Sequence, residues 1–425
     1  MLISYKRWGR CFAVLALGAC GKPTATLSSA APITRVETSP SRKIVVYAGE
    51  GHSLVTFALD PDTGALARQG SIDVEEAVQF GAITNDARHL YVSLSDNAKR
   101  HFVQAFQIAP TTGMLARHGD RVSMPNGRAI HLTLDGTTTH LVMAHNATGL
   151  LDAMELWPDG GLGSIVLTAD AIDAGNFVHQ VRVHPSNRFV FACARGTDAT
   201  PTAPEQLGQI GIWKYDAGRL TALSKVELEP GVGARHLDFR GEHDVYVAAE
   251  RGNLLLTYGF DGNRLVPRFR SSTLSDPTMP NQRVGAIRVH PNGAWVYVSN
   301  RNNTTQDRSI QGASRAVFAG GVNEIVLFRI DARTGEPKRV AGFETHGFEP
   351  RTFTIDPTRR WAIVANQKAM SFEQQGSLVT ARPNLSVFHI ESDGALTFRG
   401  TYQLGGDTLW VDAAEIAVRA PSRPE

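Results

Sequence analysis

Six polar side chains sit at the ends of short apolar runs. They are His179 before Gln180-Val181, Arg235 and His236 before Leu237-Asp238-Phe239, Glu250 after Val247-Ala248-Ala249, Arg301 after Val298-Ser299-Asn300, and Arg351 before Thr352-Phe353. An imidazole near neutral pKa, or a carboxylate, can activate water. Guanidinium forks can stabilise charge developing on a carbonyl oxygen and can hold a carboxylate or phosphate. The same six can also form a self-neutralising network with no chemistry, because charged groups are seldom buried unpaired. The residues alone leave both readings open.

The absence of other motifs narrows the chemistry. The chain holds no Gly-x-Ser-x-Gly elbow, His-Glu-x-x-His, Walker loop, Cys-x-x-Cys or Gly-x-Gly-x-x-Gly. This argues against a serine hydrolase, zinc peptidase, nucleotidase or dinucleotide enzyme. Asp60 to Gly64 has the look of a calcium loop, but Ser71 stands where the twelfth-position carboxylate belongs, so a hairpin turn is expected there. With 43 Lys plus Arg against 41 Asp plus Glu and no basic run, nothing favours a nucleic-acid partner.

What must position the six residues is a set of short β-branched and aromatic runs separated by Asp, Asn, Gly and Pro turns, with no long stretch of helical periodicity. One run recurs seven times: Ile44-Val45-Val46-Tyr47, Leu90-Tyr91-Val92-Ser93, Leu141-Val142-Met143, Phe189-Val190-Phe191, Val245-Tyr246-Val247, Trp295-Val296-Tyr297-Val298 and Trp361-Ala362-Ile363-Val364. Each is followed by a second run and an acidic or polar turn with glycine, as in Asp60 to Leu66, Thr111 to Leu115, Asp331 to Gly335 and Asp393 to Leu396. The glycines can supply positive φ. Turns such as His184-Pro185, His290-Pro291 and Asp356-Pro357 close a further inner strand, for example Gln180 to Val183 or Ala286 to Val289. Four short strands per repeat, at a period in the range of roughly 40–50 residues, predict an all-β, seven-bladed β-propeller. The six candidates then face its channel. Asn302 to Val322 and Lys368 to Asn384 exceed the repeat and are expected as insertions at the channel mouth, either lids or surface excursions.

The chain has 425 residues and 42 % apolar content, enough for a large core. The propeller is expected over 41–415, with a tail over 416–425. Lys6, Arg7 and Arg10 precede the apolar run Cys11 to Leu17, which is too short to span a bilayer and has the layout of a secretory signal. Leu17-Gly18-Ala19-Cys20 resembles a bacterial lipobox, which implies cleavage after a 1–19 signal, lipidation of Cys20 and a cell-envelope protein in the periplasm or on the outer membrane. Residues 20–40, rich in Ser, Thr, Ala and Pro, read as a flexible tether. Cys193, the remaining thiol, lies in an apolar run and is expected to be buried and structural.

Several segments resemble the seven-bladed lactonase family, which includes the propeller type of 6-phosphogluconolactonase and the fungal carboxy-cis,cis-muconate cyclising enzyme. Glu349-Pro350-Arg351-Thr352-Phe353 and Ala365-Asn366-Gln367 look like the family's Pro-Arg-x-Phe and Ala-Asn-Gln signatures, and Ser299-Asn300-Arg301 is similar to its Ser-Asn-Arg. Gly233-Ala234-Arg235-His236 resembles Gly-Pro-Arg-His with Ala234 in place of proline. Glu250 matches a glutamate one strand later, beside Ala249 rather than asparagine, and His179 matches the second histidine of Pro-His-x-His. The resemblance implies that His179 and Glu250 are acid/base groups, that Arg235, His236, Arg301 and Arg351 bind substrate, and that the reaction is hydrolysis of an anionic sugar or related lactone. It implies no cofactor and no metal. Lactone-forming cycloisomerisation of a muconate, and a non-catalytic binding or scaffold propeller, are the alternatives.

Overall fold

The computed structural model describes residues 41–418 apart from 97–99, 167–170 and 311–312. The expected signal, the tether and Cys20 therefore lie outside the described residues. Seven antiparallel sheets of four principal strands are arranged as a β-propeller, with no helix among the described residues. The seven recurrent runs occupy the second position from the axis in every blade.

Blades 2 to 7 are each built from one stretch of chain, interrupted in blades 6 and 7 by an inserted hairpin, and their inner members are Ala77–Ile83, Ala129–Leu134, Val178–Val183, Ala234–Arg240, Arg283–Val289 and Phe348–Ile355. Blade 1 is composite. Its second to fourth strands, Ser41–Glu50, Ser53–Leu59 and Leu66–Asp73, come from the start of the described chain, and its inner strand is Val411–Val418. That strand pairs continuously from Ser41↔Val418 to Ala48↔Val411, so it runs past the boundary expected at 415.

Inward residues of adjacent blades form the core. The second strands are nearly all buried, as in Trp295–Arg301, while outer strands such as Leu396–Gln403 are largely exposed beyond a buried first residue. A repeated bond links five of the seven blades to the next. The hydroxyls of Tyr47, Tyr91, Tyr246 and Tyr297 donate to the carbonyls of Gly113, Gly160, Gly335 and Gly394 at 2.7, 2.9, 2.7 and 2.7 Å. Trp361 Nε1 donates to Pro61 O at 3.0 Å from blade 7 to blade 1. Two of the acceptor turns must be glycine. Gly113 and Gly394 have φ of 77° and 87°. A Cβ at either would meet Val45 at 2.4 Å or Trp295 at 2.7 Å, in the preceding blade.

Both expected insertions contain a hairpin, Thr305–Ile310 with Ala313–Phe318 and Met370–Gln374 with Ser377–Ala381. They are joined by an Arg308–Glu373 ion pair at 3.3 Å and flank a groove of about 1060 Å³ lined by Phe318, Phe348 and Phe372. Cys193 is buried and free, and burial pushes its thiol pKa up.

Candidate functional site

The inner strands carry an irregularity that aims the candidate side chains. In blade 4, Val178 pairs with Ala194 and Gln180 with Cys193, leaving His179 unpaired between them. In blade 5, Ala234 pairs with Ala249 and His236 with Ala248, leaving Arg235. In blade 7, Pro350 pairs with Asn366 and Thr352 with Ala365, leaving Arg351. Each is a β-bulge, one extra residue that bends the strand and redirects a side chain. Thus three of the six candidates hold the same bulge position in different blades. The corresponding stretch of blade 6 holds Gly285, where a Cβ would fall 2.3 Å from Ser299 Oγ and 3.4 Å from Arg301 Cδ. Glycine there leaves the space to Arg301.

A second set follows from the partner strands. The residues after Ala194, Ala249, Asn300 and Asn366 are Arg195, Glu250, Arg301 and Gln367, all in one register. Glu250, 4 % exposed, is the hub. It accepts a short hydrogen bond from Arg235, and Arg301, Arg195 and Arg283 approach it at 3.2, 3.5 and 3.9 Å. Arg301 also donates to Glu349 at 2.9 and 3.1 Å. Glu349 is fixed by its own N–H, which donates to Asn323 Oδ1 at 3.0 Å.

Burial acts to raise the pKa of Glu250, but the guanidiniums of Arg235, Arg301 and Arg195 outweigh it and hold the carboxyl at about 2. Burial and then the cationic neighbours Arg235, Arg351 and Arg301 push His179 well below the ordinary imidazole range, so its ring is neutral, with Nδ1 unpaired among the described residues. Arg351 differs from the other guanidiniums. Its side chain takes no ion pair among the described residues, and its hydrogen bond there goes to Gln367 Oε1 at 3.4 Å. Burial, reinforced by Arg235 and Arg301, lowers its pKa to about 9, which still leaves it cationic at neutral pH. Buried Nε–H groups of Arg195, Arg235 and Arg301 also lack acceptors among the described residues. A recess of about 360 Å³ opens beside the cluster, lined in part by Arg251, Arg283, Arg301, Asn302 and Glu349.

The structure thus gathers His179, Arg235, Glu250, Arg301 and Arg351 around shared charges. His236 lies deeper. Its ring is buried edge-to-face against His179 at 5.3 Å and against His131 at 5.8 Å, and burial keeps it neutral. Arg195, Glu349, Gln367, Arg283 and His131 were not among the sequence candidates. Arg195 had a readable signal, since it follows Ala194 as Glu250 follows Ala249. Glu349 and Gln367 lay inside the quoted signatures. No group of three or more His, Cys, Asp or Glu among the described residues is arranged to hold a metal ion.

A guanidinium–carboxylate–imidazole cluster thus stands at the mouth of a seven-bladed propeller, carried by bulged inner strands and the ends of their partner strands. The chain belongs to the family described as "Lactonase, 7-bladed beta-propeller", whose match spans residues 38–374. It is 24 % identical over 347 residues to a 6-phosphogluconolactonase of Bacillus subtilis, covering 78 % of this chain and 87 % of that protein. It is 24 % identical over 357 residues to one of Pectobacterium carotovorum, covering 82 % and 91 %. Among solved structures, a periplasmic gluconolactonase of Pseudomonas aeruginosa superposes with a TM-score of 0.69 at 20 % identity, over 89 % of this chain and all of that one.

Proposed function

We propose that this protein is a lactone hydrolase of the 6-phosphogluconolactonase type that opens an anionic sugar lactone or a related lactone. The observation that carries the reading is Arg351, a cation without a carboxylate partner among the described residues, on the bulge position it shares with the neutral imidazole of His179. A buried guanidinium in no ion pair favours an anion, and a neutral imidazole with a free nitrogen suits proton removal from water. In this reading His179 takes a proton from the attacking water, Arg235 and Arg301 face the oxyanion, and the imidazolium returns the proton to the ring oxygen as it leaves. The products are a carboxylic acid, which ionises, and a free hydroxyl. Glu250 is ionised and tied to several guanidiniums. It therefore serves to position the arginines rather than to donate a proton, and His236 serves to orient His179.

The test is hydrolysis of 6-phosphoglucono-δ-lactone, glucono-δ-lactone and aromatic lactones by purified protein. Acceleration of the anionic member over its spontaneous rate is expected, and spontaneous rates throughout overturn the reading. Binding of 6-phosphogluconate without turnover points to the non-catalytic alternative.

Export and lipid attachment through Cys20 belong to the same proposal and rest on the basic, apolar and small-residue segments of the first twenty residues. Incorporation of labelled fatty acid that disappears in Cys20→Ala is the expected result. Equal labelling of both chains, or of neither, removes the anchor.

A further inference from the structure

Phe177 is 37 % exposed, one of few large apolar side chains among the described residues that face solvent. It precedes His179 by two residues, and its backbone lies at φ 57°, a left-handed conformation costly for a bulky residue. The residues two before the other bulged candidates, Gly233 before Arg235 and Glu349 before Arg351, lie at 59° and 58°. The propeller mouth therefore imposes this conformation, and only the side chain differs from blade to blade. In blade 5 a Cβ would come within 2.7 Å of Arg195 O and Arg251 Nε, so the position is glycine. In blade 7 the side chain supplies the carboxylate that holds Arg301. In blade 4 it is a phenyl ring that neither fills the core nor satisfies a charge.

The surroundings of that ring are specific. The Arg195 guanidinium lies over it, Cζ 4.7 Å from the centroid, and the backbone N–H of Arg195 donates to Phe177 O at 3.1 Å. The imidazole of His179 is 6.5 Å away, centroid to centroid. An exposed aromatic surface rigidly backed by a cation and adjacent to the neutral imidazole matches the apolar C–H face of a saturated ring.

We propose that Phe177 is a specificity-determining residue, the platform on which the lactone ring lies while His179 acts on it. The inference rests on the lactonase reading and adds the selection of cyclic over open-chain substrates. Its test compares 6-phosphoglucono-δ-lactone with the open-chain methyl ester of 6-phosphogluconate, using Phe177→Ala, Phe177→Gly and Phe177→Tyr. Ala and Gly are expected to raise KM for the lactone about tenfold with kcat within about threefold, to leave KM for the ester unchanged, and to be rescued by Tyr. Gly relieves the left-handed strain, so its melting temperature should equal or exceed that of wild type while its KM rises. Equal KM effects on lactone and ester, or a fall in kcat alone, overturn the proposal and reduce Phe177 to a clamp on Arg195. If wild type hydrolyses neither compound, the lactonase reading fails separately. A Phe177→Trp protein titrated with glucose 6-phosphate, a cyclic sugar phosphate with no lactone bond to open, still decides the platform: a saturable fluorescence change absent from wild type supports it, and none overturns it.

Discussion

At the scale of single residues, the site separates proton chemistry from charge recognition, and two substitutions should separate them in turn. His179→Gln is expected to lower kcat by roughly 10²-fold or more with little change in melting temperature, since amide and imidazole are similar in bulk. Glu250→Gln leaves its guanidiniums facing each other without the hub carboxylate, and should cost about 3–5 kcal/mol of stability along with activity, measured by denaturant melts. If Glu250→Gln is as stable as wild type, the carboxylate is not the hub described here. Arg351→Met removes a buried cation that takes no ion pair among the described residues. It should melt no lower than wild type while raising KM for 6-phosphoglucono-δ-lactone about tenfold or more and sparing glucono-δ-lactone. Five of the six sequence candidates are near neighbours because apolar runs and their flanking polar residues are visible as a pattern. Arg195 holds the same place after its second strand as Glu250, a position the sequence displays, but its approach to the Glu250 carboxylate in the next blade follows only from the packing of the two blades. The acid/base role expected of Glu250 comes with the family resemblance, and the residue pattern gives its type but not the number of guanidiniums around it.

At the scale of elements, the bulge is the device that makes a site from a repeat. A regular strand alternates its side chains strictly, so a single added residue turns the mouth of an inner strand toward the axis without disturbing the core further along. Nothing in the apolar alternation signals such an insertion, which is why the strands were legible and the aim of their first residues was not. Gly285 gives an element-level prediction: Gly285→Ala should displace Ser299 or Arg301 and lower kcat/KM about tenfold, while far-ultraviolet circular dichroism remains that of wild type. The inter-blade tyrosines give another. Tyr246→Phe leaves the Gly335 carbonyl without its partner inside a packed interface, and should cost about 1–2 kcal/mol in a denaturant melt. Three of their acceptors, Gly113, Gly335 and Gly394, are expected from the sequence as hairpin glycines for positive φ alone. That those turns also seat the preceding blade could not be seen without the packing.

At the scale of the whole molecule, His131, His179 and His236 share one buried region of the axis, and burial holds each well below the ordinary imidazole pKa of about 6.5. The unfolded chain binds protons at these positions from about pH 6.5 downward, whereas the folded chain does not. Stability therefore rises with pH through that window and is lost as pH falls, by up to about 1.4 kcal/mol per pH unit for each group. Melting temperature is expected to be flat above pH 7 and to drop steeply below pH 6. A triple replacement by glutamine should flatten the acid limb, and an unchanged limb would place the titration elsewhere.

The composite blade also had a trace in the sequence, since Ile44-Val45-Val46-Tyr47 has no inner strand before it. The partner more than three hundred residues away could not be identified from alternation. That partnership also sets an order of events. While the chain is still emerging from a ribosome, blades 2 to 7 can pair locally as they appear, but blade 1 lacks its innermost strand until Val411–Val418 arrives. Val411–Val418 is the segment that shuts the ring, so a chain not yet extended to it is an open arc with an unpaired strand edge, and the bulged residues of blades 4, 5 and 7 come to surround a common axis only once that strand has paired.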